Sequence, residues 1–185
     1  EEGWRSFNNL FMVVYPPERE QDILDILGLW QDETWVSERA LEKAQAEEAQ
    51  LEGNDQFFAI FNQGTNLVNL QRYAEAATTF DRAFALYAEL GQEETQRPYR
   101  IMWYQTSPYW AYFYSGRYQD VINLADTTLN ETISEPTLEE SLYWRAMAEY
   151  AAGDYTSAFA DMREAVRLNP NFSPGIFYLE QWGVE

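Results

Sequence analysis

The segment "AGDYTSAFADMREAVRL", residues 152–168, aligns without gaps on "LQRYAEAATTFDRAFAL", residues 70–86, and on "SGRYQDVINLADTTLNE", residues 115–131. Each reads as a turn, a tyrosine and then a helix. In the segment quoted first, Tyr155, Ala158, Met162 and Ala165 are spaced by three, four and three residues, which places them on one helical face. Tyr73, Ala76, Phe80 and Ala83 repeat that spacing, and Tyr118, Val121, Ala125 and Thr128 repeat it more loosely. Nine residues ahead of each tyrosine stands Gly64, Tyr109 or Ala146, inside a preceding helical pattern rich in aromatics. Where that residue is small, the paired helices can approach closely as they cross.

The three copies resemble the tetratricopeptide repeat, a helix-turn-helix unit of about 34 residues with small and aromatic residues at fixed places. The third copy carries the resemblance best: Ala146, the turn Gly153-Asp154-Tyr155, Ala158, Ala165 and the closing Asn169-Pro170-Asn171. The first has Gly64, Tyr73, Ala76, Phe80 and Ala83 without the closing proline. The middle one departs most, with the large Tyr109, with Pro108 interrupting its first helix, and with Val121 and Thr128 in place of alanines. The tyrosines lie 45 and 37 residues apart, so longer loops are expected at "GQEETQRP" and "NETISEPT". The resemblance implies an all-α fold, a right-handed α-α superhelix of antiparallel helix pairs with about nine helices. Tyr73, Tyr118 and Tyr155 would then start second helices, and the alanines at 76, 83, 158 and 165 would be buried at crossings.

Composition narrows the chemistry. The chain has 185 residues, 46% hydrophobic and 17% aromatic, enough for one well-buried domain. Thirty-one acidic groups against twelve basic ones give a formal charge of −19, and Lys43 is the only lysine. That balance repels nucleic-acid phosphates and anionic lipid, so neither nucleic-acid binding nor direct membrane binding is expected. No apolar run reaches the roughly 18 residues that span a bilayer. Cysteine and histidine are both absent, which removes thiolate and imidazole metal ligands and the Ser-His-Asp and Cys-His nucleophilic sites. No Gly-rich phosphate loop or Asp-rich calcium loop occurs. No catalytic residue, metal or cofactor is therefore assigned.

The flanks read as caps. "PPEREQDILDILG" suggests a short helix, and a charged second helix from about Thr34 to Leu51 has a thin apolar face of Val36, Ala40, Leu41, Ala44 and Leu51. At the other end "SPGIFYLEQW" gives Ser173 as cap and Pro174 at the first helical position. The organisation expected is an extended segment at 1–16, capping helices at 17–53, three repeats at 54–172 and a closing helix at 173–185.

In solenoids of the resembled kind the first helix of each repeat lines a concave groove. The resemblance implies that Phe61, Thr65, Val68 and Asn69, then Trp103, Thr106, Trp110, Phe113 and Tyr114, then Tyr143, Met147 and Tyr150 face inward. That set is aromatic and nearly uncharged, suited to an extended peptide or a partner protein with Trp and Tyr as anchors. Repeats that grip a terminal carboxylate use lysines, arginines and asparagines there, and the lysines are missing. The expected function is a noncatalytic interaction scaffold. The alternatives are a carbohydrate-binding or hydrolytic cleft, with Glu139, Glu140 and Glu149 beside Trp144, and a purely structural spacer.

The head of the chain differs. In "NNLFMVVYPP", residues 8–17, Leu10 to Val14 read as a buried strand, and a helical solenoid offers such a strand no sheet. Its partners are expected upstream. "EEGWRSFNNLFMVVYPPE" is similar to the closing segment of papain-like cysteine peptidase domains of the bacteriocin-processing type, and "RIMWYQTSPYWAYFYSGRYQDVINLADTTL" to the repeat region that follows such domains in bacterial proteins. That resemblance implies docking on the chain's own upstream peptidase domain as one option, and an extracytoplasmic bacterial setting. In the isolated chain the segment is expected to fold back, with Phe11 and Val13 against Ile23 and Leu27, or to pair with a second copy.

Overall fold

The computed structural model describes residues 4–7, 11–14, 33–90, 105–131 and 139–184. Among them a pair of strands, β1 (Trp4–Phe7) and β2 (Phe11–Val14), precedes the helices α1 (Glu33–Glu48), α2 (Gly53–Asn69), α3 (Tyr73–Glu89), α4 (Ser107–Tyr114), α5 (Tyr118–Glu131), α6 (Glu139–Ala152), α7 (Tyr155–Leu168) and α8 (Ser173–Trp182). Tyr73, Tyr118 and Tyr155 are each the first residue of a second helix, as the alignment requires. Packing runs between successive helices from α1 to α8, with the first helices α2 and α4 also in contact. The fold is a solenoid of antiparallel helix pairs.

The turns inside the pairs are built alike. The backbone N–H groups of Arg72, Arg117 and Asp154 donate to the carbonyls of Leu67, Tyr112 and Glu149 at 2.8, 2.8 and 2.9 Å. Those of Gln71, Gly116 and Gly153 donate to Val68, Phe113 and Tyr150 at 2.8, 3.0 and 3.1 Å. This double bond pattern closes a helix with one left-handed residue. Gly116 and Gly153 take that place at φ 79° and 90°, and in the first repeat Gln71 takes it at φ 58°. The next helix then starts at once, and in the third repeat Asp154 holds it by accepting from the Ser157 backbone N–H at 3.2 Å and its hydroxyl at 2.8 Å.

At the crossings the small residues do what the spacing implies. Ala76, Ala83, Ala146, Ala158 and Ala165 are wholly buried. Gly64 lies so close to Phe80 that a Cβ there would stand 2.7 Å from the ring. Tyr109, large where its counterparts are small, reaches instead across two neighbouring helices. Its buried hydroxyl donates to Ser141 Oγ of α6 at 3.1 Å and meets Thr128 Oγ1 of α5 at 3.4 Å. Two departures of the middle repeat, Tyr109 and Thr128, are therefore one arrangement, with Thr128 supplying a partner that alanine could not.

Arginines tie one repeat to the next. Asp81 and Asp126 hold equivalent places in α3 and α5. Arg117 binds Asp81 at 2.7 and 2.9 Å and also receives Tyr112 under its guanidinium, while Arg145 binds Asp126 at 2.6 Å and Asp161 at 2.9 Å. Arg82 likewise pairs with Glu48 of α1. Glu149 stands beside the Arg145 cluster with Asp126, Asp154 and Asp161 around it. Its Oε2 is buried and has no hydrogen-bond partner among the described residues. Burial first, then Asp161, pushes its carboxyl up to about 7 against the pull of Arg145.

Four expectations change. The strand at Leu10 to Val14 finds its partner inside the chain, since β2 pairs antiparallel with β1 in the register Trp4↔Val14 to Phe7↔Phe11. An Asn pair between two short segments that carry aromatics is a hairpin signal that the reading of a lone strand passed over. Pro108 stands in the first turn of α4 and does not interrupt it, because its missing N–H belongs where a helix has no partner for one. Phe172, not Ser173, holds the cap position of α8. On α1 Ser37 turns inward and Val36 outward. The helix expected in "PPEREQDILDILG", with Ile23 and Leu27, and the loops after residue 90 and after 131 lie outside the described residues.

Three measurements test this account. Gln71→Gly should stabilise the chain by about 0.5–1 kcal/mol by removing the cost of a left-handed side-chain residue, read as a rise in denaturation midpoint. Ala158→Phe should destabilise by roughly 1–3 kcal/mol through overpacking. For Glu149, a folded pKa above the unfolded value of 4.5 means a stabilising contribution that is complete below that pH and is lost as pH rises through about 7. Glu149→Gln should therefore match the parent at acid pH and exceed it above neutrality by on the order of 1 kcal/mol, a figure already reduced for solvent screening of a half-buried group. Parallel stability curves across that range would remove Glu149 from this role.

Candidate interaction surface

Three of the residues implied as groove-lining stand well exposed: Trp110 at 39%, Tyr114 at 52% and Tyr150 at 36%. Asn69, the last residue of α2, is exposed as well, whereas Thr65, Val68, Thr106, Phe113, Tyr143 and Met147 are half-buried, and Val68, Phe113 and Tyr143 pack against the core. Phe61 is a correction. It is only 5% exposed, with its ring edge-on to Phe80 at 5.0 Å, because the space left by Gly64 draws Phe80 inward and Phe61 closes over it. Trp103 lies outside the described residues.

The exposed rings belong to a continuous aromatic chain across helices. Tyr73 stacks on Tyr114 at 4.9 Å, Tyr114 on Trp110 at 5.3 Å, and Trp110 meets the edge of buried Trp144 at 5.1 Å. Trp144 leads to Tyr143 at 5.3 Å, Tyr143 to Tyr178 at 5.9 Å and Tyr178 to Trp182 at 5.7 Å. Trp182 lies flat on Tyr150 at 4.3 Å, and Tyr150 meets Tyr155 at 4.9 Å. Such contacts hold each ring in place before any ligand arrives.

The tyrosine hydroxyls also draw together. Burial, then the nearby Tyr178 and Tyr73, raises the phenol of Tyr114, while burial, then Tyr178 and Tyr114, raises that of Tyr143. These phenols stay protonated near neutrality and can both donate and accept. Glu140, exposed and one helical turn before Tyr143, brings a carboxyl that burial and Glu139 raise above its ordinary value.

The sequence reading left Tyr73, Tyr178 and Trp182 out of this surface, having placed the first at the start of a second helix and the others in the closing helix. The signal was available: α8 begins directly after the third repeat and so stands where the first helix of another repeat would. Gly175 seats it by close approach to Val166 and Phe172. Two of the three carboxylates of the alternative hydrolytic reading are held elsewhere. Glu139 accepts from Asn169 at 2.8 Å, and Glu149 lies in the Arg145 cluster. Among the described residues no group of acidic side chains is arranged to hold a metal ion, and no helix is long and apolar enough to cross a membrane.

Residues 139–172, which span α6 and α7, match the tetratricopeptide repeat family. The RNA polymerase-associated protein CTR9 of Saccharomyces cerevisiae is 28% identical over 108 residues, which take in 57% of this chain and 9% of that protein's length. The solved structure "MamA RS-1 ArsTM double mutant" superposes with a TM-score of 0.57 at 19% identity, covering 72% of this chain and 66% of that one. The third helix pair is thus a tetratricopeptide repeat, set in a solenoid of the same kind.

Proposed function

We propose that the chain is a noncatalytic protein-interaction module that docks a peptide or a segment of a partner protein on the aromatic face of its first helices. Tetratricopeptide repeats generally mediate contact between proteins. The observation that carries the reading is the set of exposed rings at Trp110, Tyr114 and Tyr150, each braced by a neighbouring ring. Aromatic anchors fixed before binding lose little freedom on docking, and so supply much of the binding energy at interfaces.

The partner is a separate protein or the chain's own upstream peptidase-like domain. The resemblance of residues 1–16 to the end of such a domain supports the second option, while the pairing of β2 with β1 withdraws the argument from an unpaired strand.

A photo-crosslinking side chain placed at Thr65 or Met147, on the first helices, should trap a protein partner in the native cell. The same group at the exposed second-helix positions Thr78 or Thr127 should not. Crosslinks confined to Thr78 and Thr127 would overturn the reading.

A further inference from the structure

The helices α2, α4, α6 and α8 carry one cationic residue between them, Arg145, against the acids Asp55, Glu139, Glu140, Glu149 and Glu180. Arg145 is fully engaged with Asp126 and Asp161 between α5, α6 and α7. Among the described residues these first helices thus offer no unpaired positive charge, and Glu140 puts a carboxylate one turn from Tyr143. Around it is a chain with a formal charge of −19.

We propose that this face selects a cationic, arginine-bearing segment of a partner protein. The inference rests on the interaction reading above and adds the chemistry of what is bound. Three physical terms act in the same direction. The faces of Trp and Tyr rings attract a guanidinium, most strongly where water is excluded. This molecule contains that contact already, with the Arg117 guanidinium 4.7 Å from the Tyr112 ring centroid while it binds Asp81.

Burial and then Glu139 raise the Glu140 carboxyl, and a cation beside it favours its charged form. The field of the whole chain draws cations in and turns anions away. A carboxylate-bearing segment would meet no cation to pair with. A second copy of this chain would bring the same negative charge to the face.

The test uses the whole chain and labelled peptides in which serine alternates with arginine, lysine, glutamine or glutamate, read by fluorescence anisotropy. The arginine peptide should bind, more weakly as salt rises; the lysine peptide should bind less tightly, since ammonium stacks on rings less well than guanidinium, and the glutamate peptide should not bind. Trp110→Leu and Tyr114→Leu keep apolar bulk and remove the ring, and each should weaken the arginine peptide about tenfold, with Glu140→Gln costing severalfold. Circular dichroism on each variant checks that the helices remain.

Arginine binding that is indifferent to both ring variants would mean capture by scattered surface acids and would overturn the inference. So would a failure of the arginine peptide to bind at low salt. Ring-dependent binding of the glutamine or glutamate peptide at equal or better affinity would remove the charge selection while leaving the interaction reading intact. The crosslinking positions judge that reading separately.

Discussion

The close approach of first and second helices at their crossing is the constraint on which the rest of this molecule depends. At Gly64 the ring of Phe80 occupies the space where any side chain would begin, so the pair of α2 and α3 closes on an aromatic core that also includes Phe57 and Phe61. In the third pair Ala146 and Ala158 are both wholly buried and allow the same closeness. The middle pair reaches a packed state by another route. Tyr109 fills the crossing with a ring, and its hydroxyl, which could not be buried alone without a cost of several kcal/mol, is received by Thr128 and Ser141. Because Ser141 belongs to the following helix, the exception also helps to set the spacing to the next repeat.

A chain whose helices touch mainly their sequence neighbours must secure each junction separately. Here the junctions are charged. Asp81 and Asp126, in equivalent places, are each bound by an arginine of the next repeat, and Arg145 spans three helices. With few basic residues against many acids, such use leaves the described first helices without an unpaired positive charge. The composition, the fixing of the repeats and the character of the exposed face are in this way one consequence of the same shortage.

The repeat itself was legible because it is local. Spacing of three, four and three residues fixes which side chains share a helical face, and a turn followed by tyrosine fixes where the second helix starts; all three starts fall at Tyr73, Tyr118 and Tyr155. The left-handed turn residues were half legible: glycine announces such a position at 116 and 153, whereas Gln71 adopts it without any announcement in its chemistry. The short head of the chain was misread because Leu10 to Val14 were taken as a strand with partners upstream, whereas Phe11–Val14 pairs with Trp4–Phe7 of the same chain.

The candidate surface divides along the same line. Sequence determined that Trp110, Tyr114 and Tyr150 belong to first helices, because helical periodicity and repeat register are properties of near neighbours along the chain. Which of the implied residues are open to a partner was decided by tertiary packing alone. Phe61 occupies the register place of an inward groove residue yet is sealed in the core, because Gly64 admits Phe80 beneath it. Tyr178 and Trp182 look like the filling of a terminal cap, yet they extend the aromatic chain because α8 stands beside α6. Exposure is a relation between segments far apart in sequence, and no pattern within one helix encodes it.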